Sequence, residues 1–130
     1  MSDSETLIER DIRRTFPDVE FFKRQDPDGR MVGRDAMFNV LKAYSLYDSE
    51  LSYCQGMAFV AAVLVLHMPE EHAFCMLVYL LEEFGLKSMY LPGMEGLQVR
   101  FSYAIVSLIS KTYLFMIRKN FYWNHYCEEC

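Results

Sequence analysis

Met57-Ala58-Phe59-Val60-Ala61-Ala62-Val63-Leu64-Val65-Leu66 is the purest apolar run in the 130-residue sequence. It is apolar on every face from Phe59 onward, which predicts a central element surrounded by others, a helix over about residues 53–67. A strand over residues 60–66 is the rival, since a short apolar run carries no period of its own. The run ends at His67, well short of the ~20 apolar residues a membrane span needs, and the later stretch 101–117 is interrupted by Lys111.

Outward from this run the chain reads as helix, stop, helix. On the C-terminal side, Pro69 followed by Glu70 and Glu71 opens a helix that runs to about residue 84 and stops at Gly85. On the N-terminal side, Met37, Val40, Leu41, Tyr44 and Tyr47 recur every three to four residues and predict a helix over 34–47. Before it, residues 23–34 contain Asp26-Pro27-Asp28-Gly29 and a second glycine, Gly33, which is turn chemistry between helices. Leu7, Ile8 and Ile12 give residues 4–15 one apolar side, and Pro17 predicts an extended Phe16. Beyond Gly85, residues 89–96 read as a turn region and 97–109 as a further helix. Residues 109–130 are a divergent, aromatic-rich segment with Phe115, Phe121, Tyr122, Trp123 and Tyr126.

Composition narrows the functional classes. The length suits one domain with one core, and 52% of the residues are apolar. Thirteen Lys and Arg against eighteen Asp and Glu leave a net charge of −5, which weighs against a general nucleic-acid binder. Four cysteines with no basic opening followed by an apolar stretch do not describe a secreted disulfide scaffold. The expectation is a reduced, soluble, cytoplasmic domain of the all-α class.

Three features carry candidate chemistry. Arg10, Arg13 and Arg14 lie on the first predicted helix, and Asp11 stands three residues before Arg14, close enough on one face to hold its guanidinium for a phosphate. The same spacing also describes a solvated helix with a surface ion pair. Leu51-Ser52-Tyr53-Cys54-Gln55-Gly56 interrupts the chain just before the most apolar run. The Gln55 amide there can donate and accept, and so orient a water; alternatively, Ser52 and Gln55 form a Ser-x-x-Gln capping box that merely starts the helix. Finally, His125-x-Cys127-x-x-Cys130 has three zinc-type ligands but no second ligand pair, so free thiols are the better reading. His67 and His72 are poorly spaced for a metal on one helix face, and there is no phosphate-binding glycine loop or HExxH motif.

Four blocks taken together, and in order, resemble the TBC domain, the Rab GTPase-activating module. They are Ile8-x-x-Asp11-x-x-Arg14-Thr15-Phe16-Pro17, Leu41-Lys42-Ala43-Tyr44-Ser45, Tyr53-Cys54-Gln55-Gly56-Met57 and Met68-Pro69-Glu70-Glu71-x-Ala73-Phe74. The resemblance covers residues 5–108 and implies a multi-helix, all-α fold. It implies catalysis by two side chains supplied in trans to a GTP-bound Rab protein: Arg14 as the arginine of IxxDxxR, oriented by Asp11, and Gln55 as the glutamine of YxQ, with Tyr53 supporting its loop. No cofactor of its own is implied, since the partner GTPase carries GTP and Mg2+. Nor is a nucleic-acid or transmembrane role implied; the setting is vesicle trafficking, with peripheral association at the cytoplasmic face of endomembranes through the lipid-anchored partner.

The chain departs from the family pattern in three respects. The helices that normally precede the arginine, including the RxxxW element, are not found, and neither is the C-terminal half of the domain, so an incomplete N-terminal half is expected. Ser52 stands where the family usually has glycine, and the resulting expectation is that Ser52 draws Gln55 back onto its own helix. The alternative function is accordingly a non-catalytic GTPase-binding or regulatory fragment.

Overall fold

The computed structural model describes residues 2–83 and 85–90, together with Ser107 and Lys111. The described residues are all-α: α1 (Asp3–Arg14), α2 (Glu20–Lys23), α3 (Val32–Tyr47), α4 (Met57–His67), α5 (Glu70–Glu82) and a short 3-10 helix (Leu86–Tyr90).

The apolar run resolves in favour of a helix. Val60 through Val65 are all buried with α4 lying against α1, α3 and α5, while Leu66 at the end of the run is 37% exposed. The helix starts at Met57, four residues later than the sequence pattern predicts. Gly56 takes φ 99°, a left-handed conformation that glycine adopts without steric cost, and this turns the chain before the first helical residue. Residues 53–56 are therefore loop, and the capping box is not formed, because α4 has no side-chain cap at its N-terminus.

α1 begins one residue earlier than predicted, with the Ser2 hydroxyl accepting from the Glu5 N–H at 3.3 Å. Asp3 and Glu5 in its first turn and Arg13 and Arg14 in its last both complement the helix dipole. Phe16 is not extended as expected. Proline at 17 disfavours the right-handed helical region for Phe16, and the residue instead takes φ 44°, with its ring edge-on to Phe59 at 5.6 Å. α2 is a single turn that periodicity cannot reveal, yet it inserts the fully buried Phe22 into the core.

The predicted turn between helices holds, with more order than its composition indicates. Asp26 Oδ1 accepts from the N–H groups of Asp28 and Arg30, both at 2.9 Å, and Gln25 and Met31 form an isolated antiparallel bridge. Gly33 belongs to the first turn of α3 rather than to the loop. A Cβ there would lie 2.8 Å from the Phe21 ring and 2.9 Å from the Phe21 carbonyl oxygen, so glycine is what allows α2 to approach α3.

Met37, Val40, Leu41 and Tyr44 form the buried stripe of α3, whereas Tyr47 is half exposed at its end. α5 opens after Pro69 as expected, and Gly85 at φ 83° follows its end. Lys42 and Glu5 add an ion pair of 3.0 Å between α3 and α1. No helix among the described residues is long and apolar enough to cross a membrane. The helix expected over 97–109, the aromatic segment 109–130 and the His125, Cys127 and Cys130 group lie outside the described residues, apart from Ser107 and Lys111.

Candidate functional site

Asp11 is the point on which the site is built. Its position on the buried stripe of α1, beside Ile8 and Ile12, leaves the residue only 6% exposed, so a carboxylate there must be paired. One oxygen, Oδ1, receives the Arg14 Nη2 donor in an ion pair one helical turn along. The other, Oδ2, receives the Tyr53 hydroxyl at 2.6 Å, forty-two residues away in sequence. The Asp11 carbonyl oxygen takes the Thr15 hydroxyl at 2.6 Å, closing the last turn of the helix.

This arrangement divides the work between the two ends of the pair. Asp11 is buried and fixed, while 55% of the Arg14 side chain is exposed. The guanidinium is thus held at one nitrogen and keeps further N–H donors for an anion. Tyr53 is buried, and burial together with the hydrogen bond to Asp11 pushes its phenol above the ordinary tyrosine value. It remains a donor to the carboxylate at any physiological pH.

Tyr53 ties the 48–56 connection to α1. Gln55, two residues on, is exposed, and its side chain makes no hydrogen bond to a described residue. Ser52 adopts φ 55°, a left-handed conformation that favours glycine, and its hydroxyl lies 3.0 Å from the Ser4 hydroxyl of α1. The residue that replaces the family's usual glycine therefore occupies a glycine-type backbone position. Its side chain is engaged with α1, not with a helix start that includes Gln55. Cys54 donates its N–H to Met57 Sδ at 3.2 Å, and burial pushes its thiol up, away from thiolate formation.

Of the residues singled out in the sequence, Arg14, Asp11 and Tyr53 are joined by direct contacts. Ser52 and Gln55 share their loop, and Arg10 and Arg13 are exposed on α1. The other partners, Thr15, Ser4, Tyr44, Asp48 and Lys87, carry no candidate chemistry in the sequence pattern, with Thr15 and Tyr44 standing only within the quoted blocks and the α3 repeat. The Tyr44 to Asp48 spacing of one helical turn is a readable signal; Lys87 is too distant in sequence for any. Between α3 and α5 a separate groove of about 370 Å³ is lined by Asn39, Val40, Ala43, Glu70, Phe74 and Cys75 among others, none of them part of the Asp11 constellation. Among the described residues no group of three or more His, Cys, Asp or Glu is placed to hold a metal ion.

The chain is similar in sequence to several known proteins. The Rab GTPase-activating protein tbc-11 of Caenorhabditis elegans is 48% identical over 98 residues, 75% of this chain and 10% of that protein. The human ecotropic viral integration site 5 protein homolog is 47% identical over 74% of the chain and 11% of its own length. The Rab GTPase-activating protein eat-17 of C. elegans is 50% identical over 72% of the chain and 10% of its own length. The chain thus spans about a tenth of the curated relatives it matches. The profile of the Rab-GTPase-TBC domain matches residues 1–126, which takes in the segment beyond 108 where none of the four quoted blocks lies. With nearly its whole length matched, the chain belongs to the Rab-GTPase-TBC domain family.

Proposed function

We propose that the chain accelerates GTP hydrolysis by a Rab-family GTPase, with Arg14 as an arginine finger and Gln55 as a glutamine finger. The observation that carries this reading is the double engagement of Asp11. One buried carboxylate holds Arg14 through Oδ1 and the loop of Gln55 through Tyr53 and Oδ2, so the two fingers are referred to one rigid group. Two of the relatives are themselves named Rab GTPase-activating proteins, which supports the activity, not the choice of residues.

The chemistry follows from what phosphoryl transfer lacks in water. Charge spreads over the phosphoryl oxygens in the transition state, and an arginine inserted from outside compensates it, an effect worth ~10^3 to 10^5 in rate. Arg14 suits this role because its guanidinium presents several donors in a planar fork and one nitrogen is already fixed. The Gln55 amide would accept from and donate to the attacking water, placing it in line with the bond that breaks. Asp11 and Tyr53 act as positioning residues, with Ser52 setting the shape of the loop.

GTP and Mg2+ belong to the partner in this scheme, and the chain needs no cofactor of its own. Its place of action is the cytoplasmic face of endomembranes, reached through the partner's lipid anchor. A single-turnover hydrolysis assay across a panel of GTP-loaded Rab proteins tests the reading. Acceleration that collapses on Arg14→Ala and on Gln55→Ala supports it. GTP-dependent binding without acceleration by the folded chain would replace it with the non-catalytic reading.

A further inference from the structure

The connection that carries Gln55, residues 48–56, has no regular hydrogen-bond ladder, so its shape must be imposed by side chains. At its first residue one carboxylate organises the backbone. Asp48 Oδ1 accepts from the N–H groups of Glu50 at 3.2 Å and Leu51 at 3.1 Å, while the Asp48 carbonyl oxygen accepts from the Ser52 N–H at 2.7 Å. Asp48 Oδ2 faces inward and accepts from the Tyr44 hydroxyl at 3.2 Å and from Lys87 Nζ at 2.6 Å. The Asp48 side chain is 8% exposed, which makes its lysine partner more than a surface ornament.

Lys87 belongs to the 3-10 helix, and the same helix reaches the far end of the loop. Cys54 Sγ donates to the Tyr90 carbonyl oxygen at 3.6 Å, and the Tyr90 ring lies 3.9 Å from the point a Cβ on Gly56 would occupy. One turn of helix, contributed by sequence more than thirty residues downstream, therefore bonds to the loop at Cys54 and lies beside it at Gly56. The Lys87 hydrogen bond is also the leading cause that holds the Asp48 carboxyl below the usual carboxylate range.

We propose that Lys87 is a positioning residue for Gln55: its ammonium holds the Asp48 carboxylate, and that carboxylate holds the backbone on which Gln55 stands. The catalytic consequence rests on the function proposed above; the mechanical one does not. Without Lys87 the carboxylate keeps its backbone donors and Tyr44 but loses its only cationic partner among the described residues, and the loop gains alternative shapes. Displacement of a water-orienting amide by about 1 Å is enough to cost one to two orders of magnitude in rate.

The test uses the 130-residue chain with Lys87→Met and Lys87→Arg, and two readouts. Amide hydrogen exchange comes first: Lys87→Met should raise exchange at residues 50–56 severalfold while residues 60–65 of α4 stay protected, and Lys87→Arg should restore protection. The second readout is single-turnover hydrolysis at saturating chain on a responding Rab, beside binding to that Rab loaded with a non-hydrolysable GTP analogue. Lys87→Met should slow hydrolysis about tenfold with little change in affinity, and should add nothing in a Gln55→Ala background. Unchanged exchange at 50–56, exchange raised equally in α4, or a loss that persists in full beside Gln55→Ala overturns the proposal. If the unmodified chain accelerates no Rab, the proposed function fails, and the exchange comparison alone decides whether Lys87 braces the loop.

Discussion

Arg14 and Gln55 are carried by opposite kinds of backbone. Arg14 sits in the last turn of α1, where hydrogen bonds within the helix fix the main chain and the orienting partner, Asp11, is one turn away. Gln55 sits in an irregular connection whose geometry depends on Tyr53 reaching Asp11, Ser52 reaching Ser4 and Lys87 reaching Asp48. The arginine is positioned locally and the glutamine loop is held by three contacts from two other elements, α1 and the 3-10 helix. A local device tolerates change elsewhere in the fold; a device assembled from distant pieces can be detuned from any of them.

The largest effects should separate the two proposed fingers. Arg14→Ala is expected to remove at least ~10^3 of the acceleration and Gln55→Ala about 10^2, in single-turnover hydrolysis. Gln55 is exposed and its loss should not move the urea midpoint by more than ~0.5 kcal/mol equivalent, whereas Arg14→Ala leaves the buried Asp11 carboxylate without its cation and should cost ~1 to 3 kcal/mol. A comparable loss of stability in Gln55→Ala would mean that this residue supports the fold instead.

Asp11→Ala strikes both regions at once. It leaves the buried Tyr53 hydroxyl without its acceptor, and ~1 to 3 kcal/mol of stability should be lost on urea unfolding. Its effect on rate should add only in part to that of Arg14→Ala, because the share that acts through Arg14 is already gone while the share that acts through Tyr53 and the Gln55 loop remains. Full additivity would break the claim that one carboxylate serves both fingers.

Acid should act on the loop through Asp48. Lys87 and the Leu51 N–H hold the Asp48 carboxyl below its ordinary value. A folded value lower than the unfolded one means stabilisation that is present above the unfolded pKa and lost as pH falls through the folded one, a decline beginning near pH ~4 and continuing below it. Glu5 is lowered in the same direction by Lys42 on the surface, so wild-type acid sensitivity is not specific to the loop. Urea midpoints measured against pH should fall less steeply in Asp48→Asn than in the parent. Parallel curves would remove Asp48 from the acid response.

The smallest effect should come from Ser52→Gly. Relief of the left-handed serine backbone, ~1 kcal/mol, offsets the lost contact with Ser4, also ~1 kcal/mol. Stability should change by less than about 1 kcal/mol and hydrolysis by less than about twofold. A tenfold gain in rate would show that Ser52 restrains Gln55 after all.

How far the sequence could be read follows the same division between local and distant causes. α3 and α5 were legible because apolar residues repeat at helical spacing and Pro69 and Gly85 mark the ends of α5. The Asp11 and Arg14 pair was legible for the same reason, as two side chains one turn apart. α2 was not, because four residues show no period, and the start of α4 was misplaced because the backbone angle of Gly56 is not written in a residue pattern. The Ser52 to Gln55 spacing fits a capping box equally well on paper. Only the path of the chain, with Ser52 left-handed and paired to Ser4, makes that box impossible here.

The sequence by itself determined that α1, α3 and α5 are helical and that the 57–66 run is central, since these follow from periodicity and burial tendency within a few residues, while Arg14 and Gln55 stand out only through the resemblance of the four blocks. Tertiary structure alone decided that Tyr53 closes on Asp11, that Lys87 closes on Asp48 and that Gln55 stands outside a helix rather than within one. Those outcomes depend on where forty residues of intervening chain return in space, and packing of the whole core, not the local order of residues, fixes that path.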